Sequence, residues 1–180
     1  TSAIQFNNAM QNVAGTTKEQ IDDLNQYILA LEKKTTVDDK QIRIGAQVLA
    51  QDQIHADNIK KLLPGIIDLS VANRDVADTN EAIRATTVAI GRAMATGNIA
   101  ALARQNVVGI DKTTEALFKN GNEAQRTAIM QKLLEQNAKG AGEALSKSLQ
   151  GAANRANDAL EDFQVTLGRG MVIAGTIAIN

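Results

Sequence analysis

The sequence predicts an all-α protein, an array or bundle of about seven to eight helices with a long coiled-coil-like helix towards the C-terminus. Apolar residues recur at three- and four-residue steps along nearly the whole chain, and no convincing alternation of apolar and polar residues indicates a strand. Aromatic residues make up only 2% of the 180 residues. Because aromatic side chains bury the largest areas, their scarcity favours thin helix–helix contacts over a thick core or an aromatic-lined pocket.

Residues 1–36 are predicted to form an N-terminal helical hairpin segment. A first short helix ends near Gly15, and its apolar residues are Phe6, Met10 and Val13. Thr17 and Gln20 have the spacing of a capping box, in which a hydroxyl accepts an otherwise unpaired amide of the first turn. The second helix carries an apolar stripe of Ile21, Leu24, Ile28 and Leu31. Thr35 and Thr36 interrupt this stripe and end the helix.

Residues 37–168 are predicted to form a helical domain. Asp38 and Asp39 favour the positive end of a helix dipole, so a third helix begins there and runs through Ile44 and Val48. A fourth helix has the apolar stripe Ile59, Leu62, Ile66 and Leu69.

The Pro64–Gly65 pair lies inside that fourth stripe and predicts a kink or a break, because proline lacks the amide donor and clashes with the preceding turn. Asn73 or Asp75 is expected to cap a long helix that Gly97 ends in a left-handed conformation. The apolar residues of this helix are Val76, Ile83, Ile90 and Met94.

Three shorter helical segments follow, with predicted bounds Ile99–Gln105, Thr113–Lys119 and Glu123–Lys139. Beyond Gly140 and Gly142 comes the strongest pattern in the chain, with apolar residues at Leu145, Leu149, Ala152, Ala156, Leu160, Phe163 and Leu167. This near-heptad spacing is typical of a coiled-coil-like or bundle-packing helix.

Residues 169–180 are predicted to be an apolar segment that continues in a longer protein. Gly170–Ile179 has no charge and is about half of the ~20 residues that a bilayer span needs. Two interpretations stay open, a buried helix end and the beginning of a membrane-active segment. We expect the chain to be a fragment, because it starts at Thr1 without a methionine.

Catalytic chemistry is not indicated by the sequence. His55 is the only histidine, and Asp52, His55 and Asp57 form at most a weak metal corner, so a surface histidine near a helix start is the better interpretation. There is no cysteine, and the net charge of −1 is spread without a basic stripe. We therefore predict no enzyme, no catalytic, cofactor-binding or metal residues, no cofactor, and no sequence-specific nucleic-acid binding.

Several segments carry a resemblance to one family. They are Phe6–Ile21, the Leu-Pro-Gly-Ile-Ile-Asp-Leu stretch of Leu62–Ala72, the Gly-Asn ending of Ile90–Asn98, Ala100–Ile110, and the helix of Gly142–Gly168 with its Leu-Ser-Lys-Ser-Leu run. In these segments the chain resembles the tail tape-measure proteins of long-tailed phages, over roughly residues 3–168. It departs from the family pattern at Ser70, where alanine is usual.

The resemblance implies a structural protein that acts as a length ruler and scaffold inside the tail tube and assists DNA delivery through the cell envelope. The implied partners are the tail tube protein, tail-assembly chaperones and tail-tip proteins, together with copies of the chain itself as a homo-oligomer, and membrane contact stays open. The implied location is the tail-tube lumen of the virion, and the host cytoplasm during assembly. The alternative from the residues is a membrane-inserting or pore-forming helical protein.

Overall fold

The computed structural model describes residues 2–35, 37–73, 79–105 and 107–147. Seven α-helices lie in these ranges: α1 Ser2–Gln11, α2 Lys18–Thr35, α3 Asp39–Gln51, α4 Ala56–Ala72, α5 Thr79–Thr96, α6 Lys112–Asn120 and α7 Glu123–Ala138. A 3-10 helix spans Ala100–Gln105, and residues 141–147 are helical again. Nothing in these ranges is a strand, so the all-α prediction is confirmed for them.

The chain divides into two compact units, Thr1–Leu145 and Ser146–Asn180, and the architecture given below is that of the first. The predicted coiled-coil-like helix, apart from its start at Leu145, and the apolar segment Gly170–Ile179 lie outside the described residues. Within the first unit α4 is central and packs against α2, α3, α5 and α7. Helix α3 also packs against α1 and α5.

The turn between α1 and α2 forms as the local sequence predicts. Gly15 has a φ of 76°, a left-handed conformation that glycine adopts without strain. The capping box is present: the Thr17 amide donates to Gln20 Oε1 at 2.9 Å, and the Gln20 amide donates to Thr17 Oγ1 at 3.3 Å. The predicted stripe of α2 is buried throughout, at Ile21, Leu24, Ile28 and Leu31.

Helix α3 begins as predicted and runs through Ile44 and Val48, but its core face is formed by other residues. Asp38 is the N-cap, and its side chain accepts the Lys40 amide at 2.8 Å. The buried apolar positions are Ile42, Ala46, Leu49 and Ala50. Ile44 stays 36% exposed, and Val48 is only half-buried.

Helix α4 runs without a break through Pro64, so the break offered as one alternative for this position was wrong. Apolar residues on both sides of the proline are fully buried, at Leu62, Leu63, Ile66 and Ile67. We attribute the continuity to this packing, which holds the helix across the position where a backbone donor is missing. Gly65 does not form a turn, and it instead lies directly against Leu134 of α7.

Asn73 ends α4 as its C-cap, which corrects the prediction that it could begin the next helix. Its amide donates to the Leu69 carbonyl at 2.9 Å, and its side chain donates to the Gln105 carbonyl at 2.6 Å. Through these two bonds Asn73 ends α4 and holds the end of the 3-10 helix in place. The alternative cap Asp75 lies outside the described residues.

The end of α5 is held by Gly97 and by an arginine of α7. Gly97 has a φ of 71°, as predicted for the residue after a helix. The Arg126 guanidinium donates to three carbonyls: Met94 at 2.8 Å, Phe118 at 2.9 Å and Lys119 at 2.9 Å. Because these carbonyls lie at the C-terminal ends of α5 and α6, one side chain joins three helices.

Candidate functional site

The three residues of the weak metal corner point to different helices and do not converge. The Asp57 carboxylate accepts the Gln20 side chain of α2 at 2.8 Å, and His55 bonds to Glu123 of α7. Asp52 lies beside Gly91 of α5, where an added Cβ would collide with its carboxylate. The described part of the chain contains no group of three or more His, Cys, Asp or Glu side chains able to hold a metal ion.

His55 is the N-cap of α4, at the helix start where we expected it. Its Nδ1 lies 2.6 Å from Glu123 Oε2, while Glu123 Oε1 accepts the His55 amide at 2.8 Å and the Asn58 side chain at 2.6 Å. The hydrogen bond that the His55 ring donates to Glu123 raises the pKa of His55, against a smaller opposing effect of partial burial. This pair connects the starts of α4 and α7, and no local pattern in the sequence indicates it, since the partners are 68 residues apart.

The pKa of Glu123 is lowered on balance. Partial burial of the carboxyl is the largest single influence and acts to raise the pKa. The bonds from the Asn58 side chain and from the amide and ring of His55 together outweigh it. Both groups of the pair therefore favour their charged forms, which is typical of an ion pair that holds two helices together.

A second feature of the surface is a groove between α3 and α5, which we name the α3–α5 groove, with a volume of about 1320 Å³. From α3 it is lined by Gln41, Ile44, Gln47 and Val48. From α5 it is lined by Glu81, Arg84, Ala85, Val88, Ala89 and Arg92. Thr96, Asn98, Ala101 and Arg104 close one end.

Two glycines allow α3 and α5 to approach closely beneath this groove. A Cβ on Gly45 would lie 3.1 Å from Thr87 Oγ1, and a Cβ on Gly91 would meet Asp52 and lie 3.5 Å from Leu49 Cδ2. The backbones therefore come together along small residues, and the longer side chains on either side form the walls.

The floor of the groove is aliphatic and its edge is positively charged. Ile44 and Val88 are each 36% exposed there, with Val48 half-buried between the two helices. Three exposed arginines, Arg84, Arg92 and Arg104, line the groove together with a single acid, Glu81.

The three arginines differ in their surroundings. Arg92 lies near Asp52, and its charge opposes the burial that raises the pKa of that carboxyl. Among the described residues, no carboxylate lies within salt-bridge distance of Arg84 or Arg104. Within the described part of the chain, these two guanidinium groups are therefore without a carboxylate partner.

The sequence did not predict the groove, because its alanines and valines have the same helical spacing as core residues. A weak signal exists in α5, where Arg84 and Arg92 flank Ala85, Val88 and Ala89. Arginines beside an apolar stripe also occur on ordinary solvated helices, so this pattern alone distinguishes nothing.

A smaller apolar surface lies between α6 and α7. It has a volume of about 520 Å³ and is lined by Thr113, Ala116, Leu117, Asn120, Gly121, Gln125, Ala128 and Ile129. Leu117 is 60% exposed there. None of the described residues that line it is charged, so these residues offer no charge that would orient a partner.

Comparisons with known protein families, with curated proteins and with solved structures gave no match to this chain. None of the helices in the described ranges is both long enough and apolar enough to cross a membrane. The function is therefore inferred from the residues and their geometry.

Proposed function

We propose that this chain is a structural segment of a phage tail tape-measure protein, a length ruler and scaffold inside the tail tube, and not an enzyme. In this proposal its partners are the tail tube protein, the tail-assembly chaperones and the tail-tip proteins. The observation that carries the proposal is that residues of the family-like segments make helix-to-helix contacts. They have structural roles, as expected for a family defined by assembly and not by chemistry.

The Leu62–Ala72 segment gives the clearest example. Gly65 provides the contact surface for Leu134, and the Asp68 carboxylate accepts the amides of Gly140 and Gly142 at 2.7 and 2.9 Å. These amides lie at the start of the helical stretch 141–147 and have no partner within that helix. The glycine and aspartate of the segment thus connect α4 to α7 and to the start of the helical stretch 141–147.

The departure at Ser70 fits the same interpretation. The hydroxyl is fully buried; it donates to the Ile66 carbonyl of its own helix at 2.7 Å and lies 3.4 Å from the Ala82 carbonyl of α5. Its single proton is satisfied by the shorter bond within its own helix. The usual alanine would therefore fit this position without leaving a polar group unpaired, which supports a structural role for the segment.

The test is the length of phage tails assembled with altered full-length protein. In the extended helical form that the ruler role requires, each residue adds ~1.5 Å, so deleting residues 2–35 is expected to shorten the tail by about 50 Å, and duplicating them to lengthen it by the same amount. Electron micrographs measure both changes. A matched substitution, Gly65→Ala, changes packing but not chain length, so it should leave tail length unaltered. Tails of unchanged length in both the deletion and the duplication would refute the ruler role of this segment.

A further inference from the structure

We propose that the α3–α5 groove binds an amphipathic helix of a partner protein, and that acidic residues on that helix pair with Arg84, Arg92 and Arg104. The proposal goes beyond the role as a ruler and does not depend on it. A groove of this kind would serve any helical assembly in which the chain takes part.

The shape of the groove suits a helix. Two helices packed side by side leave a trough between them into which the side chains of a third helix can insert. Along α5 the groove extends from Glu81 to Thr96, which is about 22 Å at the helical rise per residue. This length corresponds to roughly four turns of a bound helix.

The floor supplies the apolar contact that such a helix requires. Ile44 and Val48 are one helical turn apart on α3, and Val88 faces the same groove from α5. Single exposed apolar residues are common on protein surfaces, whereas here three from two helices share one trough. The alanines Ala85 and Ala89 keep the floor open, so the partner backbone can approach closely.

The arginines determine the chemistry of the partner. Arg84 and Arg92 are two turns apart on one helix, about 12 Å along its axis, so a partner helix with carboxylates seven or eight residues apart can reach both. Guanidinium groups bind carboxylates through paired hydrogen bonds, and their aliphatic stems can cover the edge of the apolar floor. Glu81 is the one acid among the described lining residues, and it would repel a carboxylate of the partner only at one end of the groove.

The lining favours a peptide helix over a nucleic acid. Among the described residues that line the groove there is no aromatic side chain on which a base could stack, and the floor is aliphatic. Three arginines are also few for phosphate-backbone binding, which usually depends on extended basic surfaces. An acidic amphipathic helix uses both the aliphatic floor and the charged edge.

The test uses the full chain and two synthetic peptide probes of about 18 residues, long enough for a helix of ~27 Å. Both probes have one stripe of leucine and alanine. The acidic probe places glutamates eight residues apart beside the stripe, and the basic probe has lysines at the same positions. Fluorescence anisotropy of labelled probes should show the acidic probe binding at least about tenfold more tightly, with the preference reduced at high salt.

Variants of the groove locate the binding site. The double variant Arg84→Glu/Arg92→Glu should lower the affinity for the acidic probe at least about tenfold and raise the affinity for the basic probe, because the charge pattern is exchanged. Val88→Asp should lower the affinity for both probes. The matched controls Lys112→Glu and Leu117→Asp change exposed residues outside the groove and should leave binding unaltered. Circular dichroism checks that each variant retains its helices.

Several outcomes would overturn the proposal. If the chain binds the two probes with equal affinity, or if Arg84→Glu/Arg92→Glu has no effect on binding, the proposal of an acidic partner helix is refuted. Equal weakening by Leu117→Asp would place the contact elsewhere. If duplex DNA binds more tightly than the acidic probe and loses affinity in Arg84→Glu/Arg92→Glu, the occupant is a nucleic acid. If the chain self-associates in light scattering and Val88→Asp abolishes this, the occupant is a second copy.

Discussion

The contact between α4 and α7 gives the sharpest test of the fold, through the substitution Gly65→Ala. A Cβ added at Gly65 would lie 2.7 Å from Leu134 Cβ and 2.9 Å from Leu134 Cδ1. Leu134 is 1% exposed, so its side chain has no free space into which it could turn. Its Cβ is also fixed to the backbone, so α7 itself must move away from α4.

Two opposing effects decide the sign of the change. Alanine in a helix interior is favoured over glycine by about 0.5–1 kcal/mol, which alone would stabilise the protein. Forcing an extra methyl group into a close-packed contact costs about 1–3 kcal/mol. Because the nearest atom is a Cβ and not the end of a flexible side chain, the steric cost should prevail. We expect a net loss of about 1–2 kcal/mol in the free energy of unfolding.

Urea unfolding followed by circular dichroism measures this loss as a lower midpoint at an unchanged slope. Leu134→Ala provides a partial control, because it removes two of the three close atoms, Cγ and Cδ1, while the nearest atom, Cβ, remains. In this background Gly65→Ala should cost less than in the unaltered protein, but part of the cost should remain. A Gly65→Ala protein that is more stable than the original would refute the close approach of these helices.

Two further predictions concern the side chains that join helix ends. Arg126→Met should cost about 1.5–3 kcal/mol in urea unfolding, because carbonyls at the ends of α5 and α6 lose a charged donor. Arg126→Lys should recover less than half of this, and full recovery would contradict the three-carbonyl geometry. The stability difference between the protein and His55→Gln should be largest from pH 4.5 to 6.5, the ordinary pKa values of Glu and His. It should fade as pH rises through the raised pKa of His55 or falls through the lowered pKa of Glu123. NMR titration of the single histidine checks this, and a pKa below 6.5 would contradict it.

Much of the fold follows from local sequence, because the signals act within a few residues of each other. The Thr17–Gln20 capping box depends on a spacing of three residues, and the buried stripe of α2 depends on helical periodicity. Gly15 and Gly97 both have the positive φ typical of residues at helix ends and turns. In each case the physical cause is contained in one or two helical turns, so the sequence alone is enough to predict it.

Long-range contacts could not be predicted in this way. The break offered as one alternative at Pro64 does not occur, because the buried residues around the proline belong to contacts with other helices. From the local sequence, Glu123 is explained as an acid that stabilises the first turn of α7, and only the folded chain brings it next to His55. A single sequence gives no signal for such contacts between distant residues, because each partner already has a local explanation.

The groove shows most clearly what cannot be predicted from the sequence, because two neighbouring isoleucines of α3 have different environments in the fold. Ile42 and Ile44 lie two residues apart on α3, and two residues on a helix differ in direction by about 200°. Ile42 is 1% exposed in the core, whereas Ile44 is 36% exposed in the groove. Which of the two faces inward depends on where α1 and α5 pack against α3. A chain built from aliphatic stripes can therefore contain an exposed groove with the composition of a core. Arg84 and Arg104, which have no carboxylate partner among the described residues, distinguish this stripe from the buried ones.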